Sequence, residues 1–142
     1  MFKFSRKVEY ALTAMVAMSQ KKQRELTTAR ELADHFHLSL ELIGKILQAL
    51  ARNNLITSVQ GVKGGYYIPH SIDSIFISDI LSAVDEPIRL VRCGHEKRGL
   101  VCERQQCCLI RNSMLNIQMK IVNFFRTMTL RDFTEKYSKT DL

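Results

Sequence analysis

Thr28-Ala-Arg-Glu-Leu-Ala-Asp-His-Phe-His-Leu-Ser-Leu-Glu-Leu-Ile-Gly-Lys45 contains two helix starts separated by one break. Thr28 followed three positions later by Glu31 is a capping box, in which each side chain satisfies the other residue's backbone N–H. It opens a short helix through Ala33 to about Phe36. His37-Leu38-Ser39 interrupts the pattern, and Ser39 is placed to cap a second helix whose apolar face is Ile43, Ile46, Leu47 and Leu50. Helix, tight turn and helix predict a helix-turn-helix, an arrangement that can enter the DNA major groove but also occurs in proteins that never touch DNA.

Working outward, Ser5 caps a first helix to about Lys21, with Val8, Leu12, Met15, Val16 and Ala17 at helical spacing. Downstream, Leu55-Ile-Thr-Ser58 and Tyr66-Tyr-Ile-Pro69 read as short strands around Val59-Gln-Gly-Val-Lys-Gly-Gly65, whose glycines permit the φ angles of a hairpin loop. Adding this hairpin makes the unit a winged helix. Ser78 is the expected cap of a brief helix to Val84, ended by Asp85-Glu-Pro87. A longer helix is predicted from about Asn112 to Met128, where Met114, Ile117, Ile121, Phe124 and Met128 form a heptad seam. Thr129-Leu-Arg-Asp132 starts a last short helix to about Tyr137.

The fold class expected is therefore mostly α with a small β-wing: a winged helix-turn-helix head (1–86), a cysteine loop (87–111), and a dimerisation helix with a C-terminal helix (112–142). A helix of about 25 Å set beyond the head is better placed to pair with its symmetry mate than to bury itself alone. A homodimer would set two heads about one DNA turn apart, on a pseudo-palindromic site in double-stranded DNA.

The chain has 142 residues and a formal net charge of +7, with the excess concentrated in the first half: residues 1–70 carry +5 and residues 71–142 carry +2. A basic head suits nucleic acid, and would equally suit an anionic membrane or an acidic protein. No apolar run approaches membrane-spanning length, and Glu9 with no small-residue cleavage site argues against a signal peptide, so a cytoplasmic location is expected. There is no nucleophile elbow, phosphate loop or H-E-x-x-H, so an enzyme is not expected.

All four cysteines lie between Cys93 and Cys108. Under reducing conditions such a group points to metal or redox chemistry before structural disulfides. Thiolates suit iron-sulfur clusters and zinc, but the paired C-x2-C grip of a closed zinc site is absent. Charged neighbours, from Arg92 through Glu96, Lys97 and Arg98 to Arg104, make a buried apolar role a poor fit.

With Glu9-Tyr-Ala-Leu12, Glu31-Leu-Ala33, Leu38-Ser39, Ser58-Val-Gln-Gly61, Gly64-Gly-Tyr66, Ile77-Ser-Asp-Ile80, Ala83-Val-Asp85 and Thr129-Leu-Arg-Asp132, nearly the whole chain resembles one family. That family is the winged-helix iron-sulfur transcriptional repressors, which includes the IscR, NsrR and RirA regulators. The resemblance implies a dimeric DNA-binding repressor whose cluster senses iron, redox state or nitric oxide. It implies Cys93, Cys102 and Cys108 as ligands, since Cys108 rather than Cys107 fits the third position. Arg111 stands where some members carry a histidine ligand and, being always protonated, cannot serve. The resemblance then makes Glu9, from the other subunit, the fourth ligand, with a solvated helix-face carboxylate as the plain alternative. His95 is a second candidate. A weak oxygen ligand would leave one iron open to a signal, which puts a 4Fe-4S core ahead of 2Fe-2S.

Members often carry arginine where this chain has Gln60, and Tyr-Leu-Glu-Gln where it has Leu42-Ile-Gly-Lys45, so no operator sequence carries over. On the DNA side, Ser39, Glu41 and Lys45 are base-edge candidates, Thr28 a phosphate contact, and Gln60 and Lys63 wing contacts; each has a plain surface reading. The rival functions are a zinc-stabilised or metal-free protein-interaction module and a small electron carrier.

Overall fold

The structure is a computed structural model that describes residues 3–91, 102–104 and 106–135. Helix α1 (Arg6–Ser19) starts where Ser5 accepts a hydrogen bond from the Val8 N–H, and buries Val8, Ala11, Ala14, Met15 and Met18. Helix α2 (Ala29–Phe36) carries the full Thr28–Glu31 capping box and ends at His37, whose left-handed backbone (φ 54°) turns the chain. Leu38 N–H then donates to the Ala33 carbonyl at 2.9 Å, closing the turn. Helix α3 (Leu40–Arg52) is capped by Ser39 and buries Ile43, Ile46, Leu47 and Leu50, the face expected from their spacing.

Strands β1 (Thr57–Val59) and β2 (Gly65–Tyr67) form a two-stranded antiparallel sheet with Ser58 opposite Tyr66. Both strands are displaced from the expected spans. Leu55 and Ile56 are spent on the core before the ladder begins, and β2 begins at Gly65 and is over before Pro69, which has no N–H to donate. Tyr66 also exchanges backbone hydrogen bonds with Thr27, both at 2.8 Å, which fastens the wing to the segment before α2.

Helix α4 (Ile77–Ala83) begins two residues earlier than a Ser78 cap would place it, with Phe76 at the cap position. The reason is a tertiary clamp: Phe76 bridges Thr129 as extended chain, Ile77 N–H donates to the Met128 carbonyl, and Asp79 accepts from the Phe76 N–H at 3.1 Å. Ser78 therefore falls inside the first turn. Helix α5 (Arg111–Thr127) packs along α4, and α6 (Leu130–Glu135) returns to α1, placing Leu130 fully buried in the same core as Met15, Ile43 and Ile80. No helix among the described residues is long and apolar enough to cross a membrane.

Candidate functional site

At the recognition end, the Ser39 hydroxyl accepts from the Leu42 N–H at 3.3 Å, so its oxygen is engaged as the α3 cap. Its own N–H donates to the Tyr10 hydroxyl of α1, also at 3.3 Å. Tyr10 was not among the sequence candidates. Its adjacency to Glu9 was visible, but a contact spanning 29 positions leaves no periodic trace. Glu41 and Lys45, expected as separate base-edge contacts, are an i,i+4 ion pair at 2.6 Å, both strongly exposed. The Lys45 ammonium holds the Glu41 carboxyl below the usual carboxylate range. The pair is a weak surface one, and the ammonium keeps two further N–H donors and the carboxylate a free oxygen.

Thr28 is exposed at the start of α2, where its hydroxyl accepts from the Glu31 N–H at 3.1 Å. Glu31 in turn accepts from Lys21 at 2.6 Å, which draws its pKa down and ties α2 to the end of α1. Gln60 and Lys63 are exposed at the wing tip, as is Val62, which stands wholly in solvent. Gly61 has φ 117°, and a side chain at Gly64 would lie 2.2 Å from the Val59 carbonyl oxygen, so the tip is compact enough to project as a unit.

The other candidates surround the cysteine segment. Leu90 N–H donates to Gln118 of α5 at 2.9 Å, and Lys7 of α1 pairs loosely with Glu86 at 3.8 Å, so the entry to that segment is tied to both helices. Cys102 and Cys108 are half-buried and Cys107 is exposed, with its thiol toward the Arg104 carbonyl. Cys93 and His95 lie outside the described residues. Glu9 is exposed in the first turn of α1, and its carboxylate has no partner among the described residues. No three His, Cys, Asp or Glu residues among those described gather into a metal group, so Glu9 does not join Cys102 and Cys108 of its own chain. Arg111, the first residue of α5, has a buried Nε without a hydrogen-bond partner among the described residues.

The seam residues divide. Ile117 and Phe124 are 46% and 55% exposed, Met114 and Ile121 are half-buried, and α5 buries none of its residues fully. Met128 instead packs on the head core, beside Phe125, whose ring meets Phe4 edge-on at 6.0 Å.

Comparison with known proteins agrees with this architecture. The regulator IscR of Xenorhabdus nematophila is 26% identical over 136 residues, covering 96% of this chain and 81% of that one. The structure of CymR, the global cysteine regulator of B. subtilis, superposes with a TM-score of 0.76 at 24% identity, covering 97% of this chain and 100% of that one. IscR of T. potens gives 0.75 at 18% identity, over 99% and 92% of the two chains. The X. nematophila relative is named as an HTH-type transcriptional regulator, and CymR as a global cysteine regulator. Because the model of the Rrf2 family, described as iron-dependent transcriptional regulators, matches residues 4–136, this chain belongs to that family.

Proposed function

We propose that this DNA-binding regulator acts in the cytoplasm as a homodimeric repressor whose affinity for a pseudo-palindromic operator is set by an iron-sulfur cluster. The observation that carries the reading is where the thiols sit. Cys102 and Cys108, both half-buried, lie nine and three positions before the start of α5, in a segment whose entry is tied to α1 and α5. The donor set fits such a group: soft thiolates gathered in one segment, with Arg111, whose buried guanidinium Nε has no hydrogen-bond partner among the described residues, three positions beyond Cys108 in the chain as a cationic donor available to anionic sulfur.

Cys93, Cys102 and Cys108 would hold the cluster, with Glu9 of the partner subunit as fourth ligand, and 4Fe-4S is preferred to 2Fe-2S. When bound, the group supplies an iron whose ligation changes with iron supply, redox state or nitric oxide. The rest of the route belongs to the chain. Glu9 sits one residue from Tyr10, and Tyr10 holds the N-terminus of α3 through the Ser39 N–H. A ligation that biases α1 therefore biases the position of α3 relative to the wing, as unequal contacts in two states require. The exposed Ile117 and Phe124 support dimerisation along α5, since an apolar helix face of this kind is stable in water when covered.

Anaerobic purification with iron and acid-labile sulfide counts tests the assignment. The expected result is a coloured dimer containing both, lost together in Cys108→Ser. A colourless protein carrying zinc would overturn it in favour of a zinc-stabilised module.

A further inference from the structure

Gly44 stands in the second turn of α3, half-buried on a flank of the helix, with exposed Leu40 one turn before it and exposed Gln48 one turn after. A glycine costs a helix interior more than any ordinary residue except proline, so its presence calls for a reason. Two common reasons fail here. Its backbone is helical without positive φ, and a Cβ built on it would meet nothing within 4 Å among the described residues. None of those residues needs the space. The remaining reason is an approach from outside, on the face of the helix that a winged helix-turn-helix presents to the major groove.

We propose that Gly44 is a specificity-determining position that works by having no side chain. It admits a base-pair edge close to the backbone of α3, while Leu40 beside it covers a thymine methyl. Leu40 is the side chain the structure offers for that contact: it is 41% exposed, apolar, and one helical turn from Gly44 on the same row. With the closest-approach point on this row, the Glu41–Lys45 pair flanks it, and Gln48, exposed one turn further, can meet an adjacent base. A base edge is favoured over phosphate because positions in the first half of a recognition helix are those that meet base edges.

This inference rests on the DNA-binding reading, and the experiment separates the two. The full-length wild-type protein is used to select duplexes from a random library, in cluster-loaded and cluster-free forms. Affinities for the selected duplex and for an unrelated duplex are then measured for wild type, Gly44→Ala and Leu40→Ala, alongside thermal melts. Gly44→Ala should raise Tm by a few degrees, because alanine is the better helix former, while weakening the selected duplex about tenfold or more. Its affinity for the unrelated duplex and its salt dependence should stay unchanged. Leu40→Ala should lose the preference for thymine at one position of each half-site.

Opposite movement of stability and affinity is what a merely structural glycine would not give. Wild-type affinity in Gly44→Ala overturns the proposal, and so does a fall in Tm, which would place the missing neighbour inside the protein. Equal weakening on both duplexes would assign the contact to the sugar-phosphate backbone and overturn it too. An unchanged consensus with Leu40→Ala removes the thymine contact. If the wild type selects no duplex in either form, the DNA-binding reading falls and this inference with it.

Discussion

Ser39 does two jobs with one residue: its hydroxyl caps α3, and its N–H is held by the Tyr10 hydroxyl. Ser39→Ala removes an N-cap and should cost about 1 kcal/mol of stability, read by chemical denaturation. Tyr10→Phe keeps the ring and leaves the Ser39 N–H to water. It should cost roughly 0.5–1.5 kcal/mol and, if α1 positions α3 as proposed, reduce the difference in DNA affinity between cluster-loaded and cluster-free protein. An unchanged difference would detach α1 from the recognition helix. The Ser39 and Thr28 caps could be read from the sequence because capping is a local matter of one side chain and the next backbone turn. Ser78 misled for the complementary reason: the clamp of Phe76 and Ile77 on the segment Met128–Thr129 sets where α4 starts, and its two pairs are 53 and 51 positions apart in the chain.

Among the elements, the wing and α5 make separable predictions. Lys63 projects from the wing tip, so if it grips phosphate, Lys63→Ala should lower the slope of log affinity against log salt by about one, uniformly across sequences. The seam was read from a three-four spacing that holds along the whole helix, yet its last member is used differently: Met128 packs on the head core while Ile117 and Phe124 face outward. With α5 pairing two copies as proposed, Ile117→Asp should give a folded monomer in sedimentation, whereas Met128→Asp should lower thermal stability first. Helix α6 is held to the chain leaving the wing by Arg131, whose guanidinium engages Asp73 and also donates to Glu135 at 3.2 Å. Arg131 holds the Asp73 carboxyl below its ordinary range, so this contribution is present above the unfolded pKa and lost as pH falls through the lower folded one. Asp73→Asn should flatten the acid limb of the stability profile, and an unaltered limb would show the pair to be inconsequential in solvent.

At the scale of the whole molecule, the basic bias of residues 1–70 coincides with the winged helix-turn-helix that those residues build, and a local pattern sufficed to foresee that head. The site was less legible. Glu41 and Lys45 were visible four apart but not as a closed pair, and the openness around Gly44 exists only once α3 has a buried face and an outer one. The cysteines stand out as a group because soft donors crowd one segment, and their role as ligands is a proposal, as is the fourth ligand, which would come from another subunit and has no spacing of its own in the chain. If cluster state sets DNA affinity, it will show in the Kd for one selected duplex, taken at fixed salt with the anaerobically purified protein before and after chelation of bound iron. That Kd should change at least tenfold, of the size that typical coupling between two sites supports, and the change should disappear in Cys102→Ser. Equal affinity in the two states, with iron and sulfide shown to be present in the first, would contradict it.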